Sequence, residues 1–224
     1  MKTVFKGEII NVVADDNGLV IAYVHEKQED KIMVAYKNIS FDNGKITNVT
    51  RNLYELTKFG TNYKDIVSII KSHILTHSVL LENGKTFTVD NDGTAYLFDT
   101  DGGLIWKGEL IYRKAKPTGL SVCDRHLWVA FGELNVIMRM NLSTMHEELR
   151  LGGGTASPFI NPVNLFPNEN NLLVCSKNSN DILSVNTNTY AINTYRTFDK
   201  AVKQYLNCGG YEFAVLEDGI YLLD

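Results

Sequence analysis

The two ends of the chain read as fragments of one structural unit. Lys2-Thr-Val-Phe-Lys-Gly-Glu-Ile9 is a single strand-like segment, whereas Val202 to Asp224 holds three such runs: Gln204-Tyr-Leu-Asn-Cys, Tyr211-Glu-Phe-Ala-Val-Leu and Gly219-Ile-Tyr-Leu-Leu. A lone strand leaves every main-chain donor and acceptor without a ladder partner, and a sheet that stops short leaves an open edge. Pairing the two termini in one sheet satisfies both, and it yields a four-stranded unit of the kind that recurs through the interior.

The clearest interior copy is Pro117 to Gly152. It divides into Thr-Gly-Leu-Ser-Val-Cys-Asp, His-Leu-Trp-Val-Ala-Phe, Val-Ile-Met-Arg-Met-Asn-Leu and Glu-Glu-Leu-Arg-Leu, each rich in β-branched or aromatic residues and bounded by turn formers. The next copy follows the same plan with Pro162-Val-Asn-Leu-Phe, Leu172-Leu-Val-Cys, Ile182-Leu-Ser-Val and Ile192-Asn-Thr-Tyr-Arg. Leu127-Trp-Val-Ala and Leu172-Leu-Val-Cys are equivalent second strands, about 40 to 45 residues apart, the length of one propeller blade. Upstream, Asn83-Gly84, Asp92-Gly93 and Asp101-Gly102 separate Thr76-His-Ser-Val-Leu-Leu, Thr86-Phe-Thr-Val, Ala95-Tyr-Leu-Phe and Leu104-Ile-Trp-Lys, and both dipeptides accept the positive φ of a tight hairpin. Asn17-Gly18 and Asn43-Gly44 punctuate a first copy, and Asp218-Gly219 the last. Cys123 and Cys208 each stand five residues before an aromatic, Trp128 or Phe213, so two distant copies share a register.

The expected fold is therefore all-β, a five-bladed β-propeller forming one domain over residues 1–224. Its blades fall near 10–52, 74–112, 117–152, 160–198 and 201–224 plus 1–9, the last closed by the N-terminal strand. Leu53 to His73 interrupts the pattern. Within it Ile66, Ile69, Ile70 and His73 are spaced as on one side of a helix, so a short helical insertion is expected near residues 61–73.

The run Pro117-Thr-Gly-Leu-Ser-Val-Cys-Asp-Arg-His-Leu-Trp-Val-Ala-Phe resembles the opening of an NHL- or YVTN-type propeller repeat, and Asn178-Ser-Asn-Asp-Ile-Leu-Ser-Val-Asn-Thr-Asn-Thr-Tyr is similar to the same pattern further on. The likeness covers 117–198 well and the rest faintly. It implies the blade and not an activity: such families include scaffolds, peptide or nucleic-acid binders and a few lactonases and lyases. No residue of a known active site carries over.

Composition narrows the function classes. A net charge of −4 supplies no basic field for general nucleic-acid binding. No apolar run is long enough to span a membrane, and Met1 to Val13 lacks the continuous apolar stretch of a signal peptide, so a cytoplasmic protein without membrane contact is expected. Three cysteines at unrelated spacings, Cys123, Cys175 and Cys208, read as buried thiols rather than a disulfide framework.

In each blade the loop between strands two and three carries a carboxylate: His25 to Asp30, Asp90 to Gly93, Gly132 to Asn135, Lys177 to Asp181 and Glu217 to Gly219. Asp90, Asp92, Glu133, Asp181 and Asp218 are the binding candidates, although Asp and Asn are also what hairpin turns ordinarily use. Connections on the same face bring Lys58, Lys64, Lys71, Arg113, Lys114 and Lys116. Phe131 and Phe159, if exposed there, would serve as contact aromatics for a peptide or a sugar, as would Trp106, whose alternation otherwise places it in the core. His73 and His77 lack a third metal ligand, Gly152-Gly-Gly-Thr-Ala-Ser-Pro158 opens no helix for a phosphate, and no Gly-x-Ser-x-Gly elbow is present. No metal and no cofactor is expected. These residues point to non-catalytic binding or scaffolding of a protein or peptide partner through the loop face. The runners-up are a small hydrolase or lyase using Asp90, Glu133 and Asp181, and a carbohydrate-binding module, with a small molecule or sugar as ligand.

Overall fold

The computed structural model describes residues 1–15, 18–27, 31–42, 45–57, 77–81, 83–90 and 92–223. The helical insertion expected near 61–73 lies outside the described residues.

The fold is a β-propeller of five four-stranded antiparallel blades. Blade 1 is β2 (Ile9–Asp15), β3 (Gly18–Lys27), β4 (Lys31–Asp42) and β5 (Lys45–Thr57). Blade 2 is β6 (His77–Leu80), β7 (Thr86–Val89), β8 (Thr94–Phe98) and β9 (Leu104–Glu109). Blade 3 is β10 (Gly119–Cys123), β11 (His126–Phe131), β12 (Val136–Met140) and β13 (Glu147–Gly152), and blade 4 is β14 (Pro162–Asn168), β15 (Asn171–Ser176), β16 (Asp181–Asn186) and β17 (Ile192–Thr197). Blade 5 is β18 (Val202–Cys208), β19 (Tyr211–Leu216) and β20 (Gly219–Leu222), completed by β1 (Lys2–Lys6).

Each blade is a meander whose first strand is one edge and whose fourth is the other. The fourth strand carries a register irregularity against the third in every blade: between Asn38 and Ile39, Leu97 and Phe98, Arg139 and Met140, Ile182 and Leu183, and Thr3 and Phe5. A bulge of this kind increases the local twist and bends the outer edge. That β1 shares it marks the N-terminal segment as a true fourth strand. β1 runs antiparallel to β20, with Lys2 opposite Leu222 and Lys6 opposite Gly219. Gly219 is required by this pairing, because a Cβ there would collide with the Phe5 carbonyl oxygen.

The chain divides into two compact units, Met1–Leu75 with Leu206–Asp224, and Thr76–Tyr205. In the first, blades 1 and 5 share a core of Phe5, Val12, Leu19, Ile21, Ala35, Ile39, Phe213, Val215 and Ile220. In the second, one core joins blades 2 and 3 through Phe87, Val89, Leu127, Val129, Phe131 and Met138. Another joins blades 3 and 4 through Trp128, Ile137, Phe159, Leu172, Val174 and Val185. The alternation explains this sharing: along β11, Leu127, Val129 and Phe131 face one neighbour while Trp128 and Ala130 face the other. A blade in the middle of such a row is apolar on both faces, so its second strand reads as a continuous hydrophobic run. Cys123, Cys175 and Cys208 are buried free thiols.

Candidate functional site: the loop face of blades 2 to 4

In the Thr76–Tyr205 unit, the loops between second and third strands are tied to the connections that follow their blades. Leu110 N–H donates to the Gly93 carbonyl at 2.7 Å in blade 2. In blade 3 the Asn135 carbonyl accepts from Gly153 N–H at 2.9 Å and from Ser157 Oγ at 2.7 Å, while Asn135 Oδ1 accepts from Asn161 N–H at 2.8 Å. In blade 4 Phe198 N–H donates to Asn180 O and Val202 N–H to Ser179 O. The two sets of loops thus form one face, as the repeat register implies.

On that face the carboxylates take different roles. Asp90 Oδ1 accepts from the N–H groups of Asp92 and Thr94, both at 2.9 Å, and Oδ2 accepts from the Tyr96 hydroxyl at 3.3 Å. This is an Asx-type clamp that shapes its own hairpin. Asp181 Oδ1 accepts from Thr197 Oγ1 at 2.6 Å, holding the start of β16 to the end of β17. Asp92, by contrast, is 85% exposed and pairs with Lys116 Nζ at 2.9 Å. Glu133 is exposed on the 3-10 turn Gly132–Leu134. Asp90, Glu133 and Asp181 do not gather into a metal-binding group; among the described residues no set of three or more His, Cys, Asp or Glu does. Asp218 belongs to the other unit, where its carbonyl accepts from Gly7 N–H at 3.0 Å beside the closing strand.

Two expected contact aromatics are corrected. Phe131 is 1% exposed and packs in the core between blades 2 and 3, with Tyr112 at 5.8 Å. Phe159 is also 1% exposed, in the core between blades 3 and 4. The glycine-rich connection makes that possible, since Gly152 has φ +83 and a Cβ there would meet the Phe159 ring at 2.7 Å. Neither ring is available to a ligand. Trp106 departs the other way and is 37% exposed on β9.

The cations on this face include exposed Arg113 and Lys114, both at positive φ in the turn that Tyr112 and Ala115 close. Lys58, Lys64 and Lys71 lie outside the described residues. His77, on the first strand of blade 2, has its pKa lowered by burial, which favours the neutral ring.

At the other end of blade 3 the structure assembles a group with no motif in the sequence. The Glu148 carboxylate is met by Arg139 Nε at 3.2 Å, His126 Nε2 at 3.5 Å and Asn141 Nδ2 at 2.9 Å. Arg139 also donates to the Tyr190 hydroxyl at 2.9 Å, reaching into blade 4. These residues are spread over three strands and a turn, so only the strand register brings them together. The group acts as a polar cross-tie between the two blades.

No family model matches the chain, and no curated protein matches it. Solved structures do. Virginiamycin B lyase from Staphylococcus aureus superposes with a TM-score of 0.56 at 12% identity, covering 95% of this chain and 78% of that one. A computationally designed protein matches at TM-score 0.51 and 12% identity, with coverage of 96% and 71%. Glutaminyl cyclase from Myxococcus xanthus matches at 0.50 and 9%, with coverage of 100% and 97%. Identities this low establish architecture alone, and two enzymes and a designed protein share no activity that could be transferred. These likenesses bear on the fold alone, and the fold is a β-propeller.

Proposed function

We propose that this propeller is a non-catalytic binding module that engages a protein or peptide partner through the loop face of blades 2 to 4. The observation that carries the reading is the division of labour among the loop carboxylates. Asp90 and Asp181 are engaged in their own turns, while Asp92, paired with Lys116, and Glu133 are exposed, as are Arg113 and Lys114 on the connection after blade 2. Acid–base catalysis on a bound substrate needs carboxylates within reach of a common atom, whereas exposed charges of both signs suit a polar partner surface. Loops anchored at both ends by main-chain bonds also hold such charges in place without an ordering cost on binding. A cytoplasmic setting belongs to this reading and accords with three buried thiols.

The test is affinity capture from a cell extract on immobilised wild-type protein and on an Asp92→Arg, Glu133→Arg double variant, each with its melting temperature measured first. Proteins held by the wild type and lost from an equally stable variant are expected. Identical retention by both, or a melting shift with a sugar or divalent metal that the variant abolishes, would overturn the protein-partner reading.

A further inference from the structure

The outer strands of the blades are edges, and most carry the charges that discourage edge pairing. β13 has Glu147, Glu148 and Arg150, β17 has Arg196 among polar residues, and β1 is bounded by Lys2 and Lys6. β9 does not follow this rule over its first half. Leu104 is 56%, Ile105 46% and Trp106 37% exposed, and Ile111 just beyond the strand is also exposed. Five of the nine exposed large hydrophobics among the described residues belong to blade 2 or its following connection, with Leu80 as the fifth. Concentrated apolar exposure of this kind marks an interaction surface.

The sequence of the strand says what fits it. In Leu104-Ile-Trp-Lys-Gly-Glu-Leu-Ile111, a two-fold axis through Gly108 sets an antiparallel copy so that Lys107 faces Glu109 of the second molecule, and Glu109 faces its Lys107. The same register sets Ile105 opposite Ile111. The two alternatives fit less well: an axis through Lys107 places two lysines face to face, and one through Trp106 leaves Glu109 without an opposite charge. Gly108 at the axis is also the residue over which the Trp106 ring lies, since a Cβ on Gly108 would collide with that ring. Two facing glycines leave room for both indoles on one side of the joined sheet. Lys107 and Glu109 are exposed, so they can make the pairing.

We infer that β9 is a self-association edge, pairing antiparallel about Gly108 with β9 of a second copy of this chain. The interaction goes beyond the loop-face reading and uses different residues. It is tested on the full chain by sedimentation equilibrium across the micromolar range. Wild type is expected to dimerise. Lys107→Glu, which puts like charges opposite each other twice, should weaken the dimer by about tenfold, the scale of two cross-strand charge pairs. Adding Glu109→Lys to it should restore the dimer, because the swapped charges again face opposites. Ile105→Lys should give a monomer with unchanged circular dichroism. A wild type that stays monomeric throughout, or a dimer indifferent to both Lys107→Glu and Ile105→Lys, would overturn the inference.

Discussion

The seam between blades 3 and 4 and the seam between blades 5 and 1 are built by the same device. In the first, β10 ends in Cys123, whose thiol donates to the carbonyl of Asn171 at the start of β15, at 3.5 Å. In the second, β18 ends in Cys208, whose thiol donates to the carbonyl of Gly18 at the start of β3, at 3.2 Å. Five residues on, Trp128 and Phe213 are the largest fully buried side chains at their respective seams. Each seam also borrows an aromatic from outside the blade's own three inner strands, Phe159 from a connection and Phe5 from β1. The difference is in how the blades are joined. Blades 3 and 4 are consecutive in the chain. Blade 5 reaches blade 1 only through β1, which pairs with β20 and then leads through Gly7 and Glu8 into β2. Chain continuity keeps the first seam at high effective concentration even when its packing is damaged, whereas the second depends on the β1 ladder and on Phe5.

Removal of residues 1–9 is therefore the largest perturbation available. It takes Phe5, which meets Tyr23 edge-on at 4.7 Å, together with the β1–β20 ladder. Truncation of a buried Phe alone costs about 3–5 kcal/mol, so the deletion should exceed about 5 kcal/mol once the exposed β20 edge is added. Urea denaturation followed by circular dichroism reads it directly. A truncated chain with the midpoint of the full-length protein would show that the termini do not close the last blade.

Closure of this kind was legible in the sequence because it rests on composition and turn chemistry. Asn-Gly and Asp-Gly pairs fall where Gly84, Gly93 and Gly102 take positive φ, and the second strands announce themselves as apolar runs. Other features were hidden for physical reasons. The turns at Asp124-Arg125, Asn135 and Asn161 use positive φ without glycine, so no dipeptide signals them. Phe159 sits in a stretch whose glycines suggest a loose loop, yet the space left by Gly152 is what draws the ring inward. Trp106 has the alternation of a core residue, but a fourth strand has no blade-mate beyond it, and periodicity does not distinguish a fourth strand from a second. The Glu148 group depends on register across β11, β12 and β13, which no local pattern specifies.

Trp128→Ala and Phe213→Ala should each cost about 3–5 kcal/mol by cavity formation. Phe213 also stacks on Phe41 at 5.0 Å. Because chain continuity holds only the first seam together, Phe213→Ala is expected to broaden the unfolding transition while Trp128→Ala leaves it sharp. Equal sharpness would show the seams to be mechanically alike. Trp128→Phe sharpens the point further. The buried Trp128 indole N–H has no hydrogen-bond partner, so deleting it removes an unmet donor and should offset much of the lost ring area, for a net change below about 1.5 kcal/mol.

Gly219 and Gly119 allow a smaller contrast. A Cβ at Gly119 would lie 2.9 Å from the Val163 carbonyl of blade 4, and one at Gly219 would strike the carbonyl of Phe5. Overpacking of this sort costs about 1–3 kcal/mol. Gly219→Ala pushes on a strand held by its ladder and by the packing of Phe5, so proteolysis near the N-terminus should accelerate, while Gly119→Ala should lower stability without opening either end. A Gly219→Ala protein whose N-terminus is as protected as wild type would contradict the role given to β1.

The smallest effect concerns the thiol that repeats the device, and it is visible only at alkaline pH. Burial, followed by the nearby Asp124 carboxylate, pushes the Cys123 pKa from 9.0 up to about 11. The folded state therefore holds the proton that the unfolded chain releases near pH 9. Its contribution is fully present below pH 9 and is lost as the pH rises through about 11, so unfolding free energy should fall across that window. Cys123→Ala should flatten the slope there at a modest cost at neutral pH, about 1 kcal/mol for the hydrogen bond to Asn171. Cys175, fully buried, is shifted in the same direction and further, so a residual slope should survive in Cys123→Ala and shrink again in the Cys123→Ala, Cys175→Ala double variant. Cys208→Ala, at the other seam, measures the neutral-pH worth of the equivalent bond to Gly18. If its cost there matches that of Cys123→Ala, the two thiols are interchangeable parts of one repeat, and the seams differ only in what joins their blades.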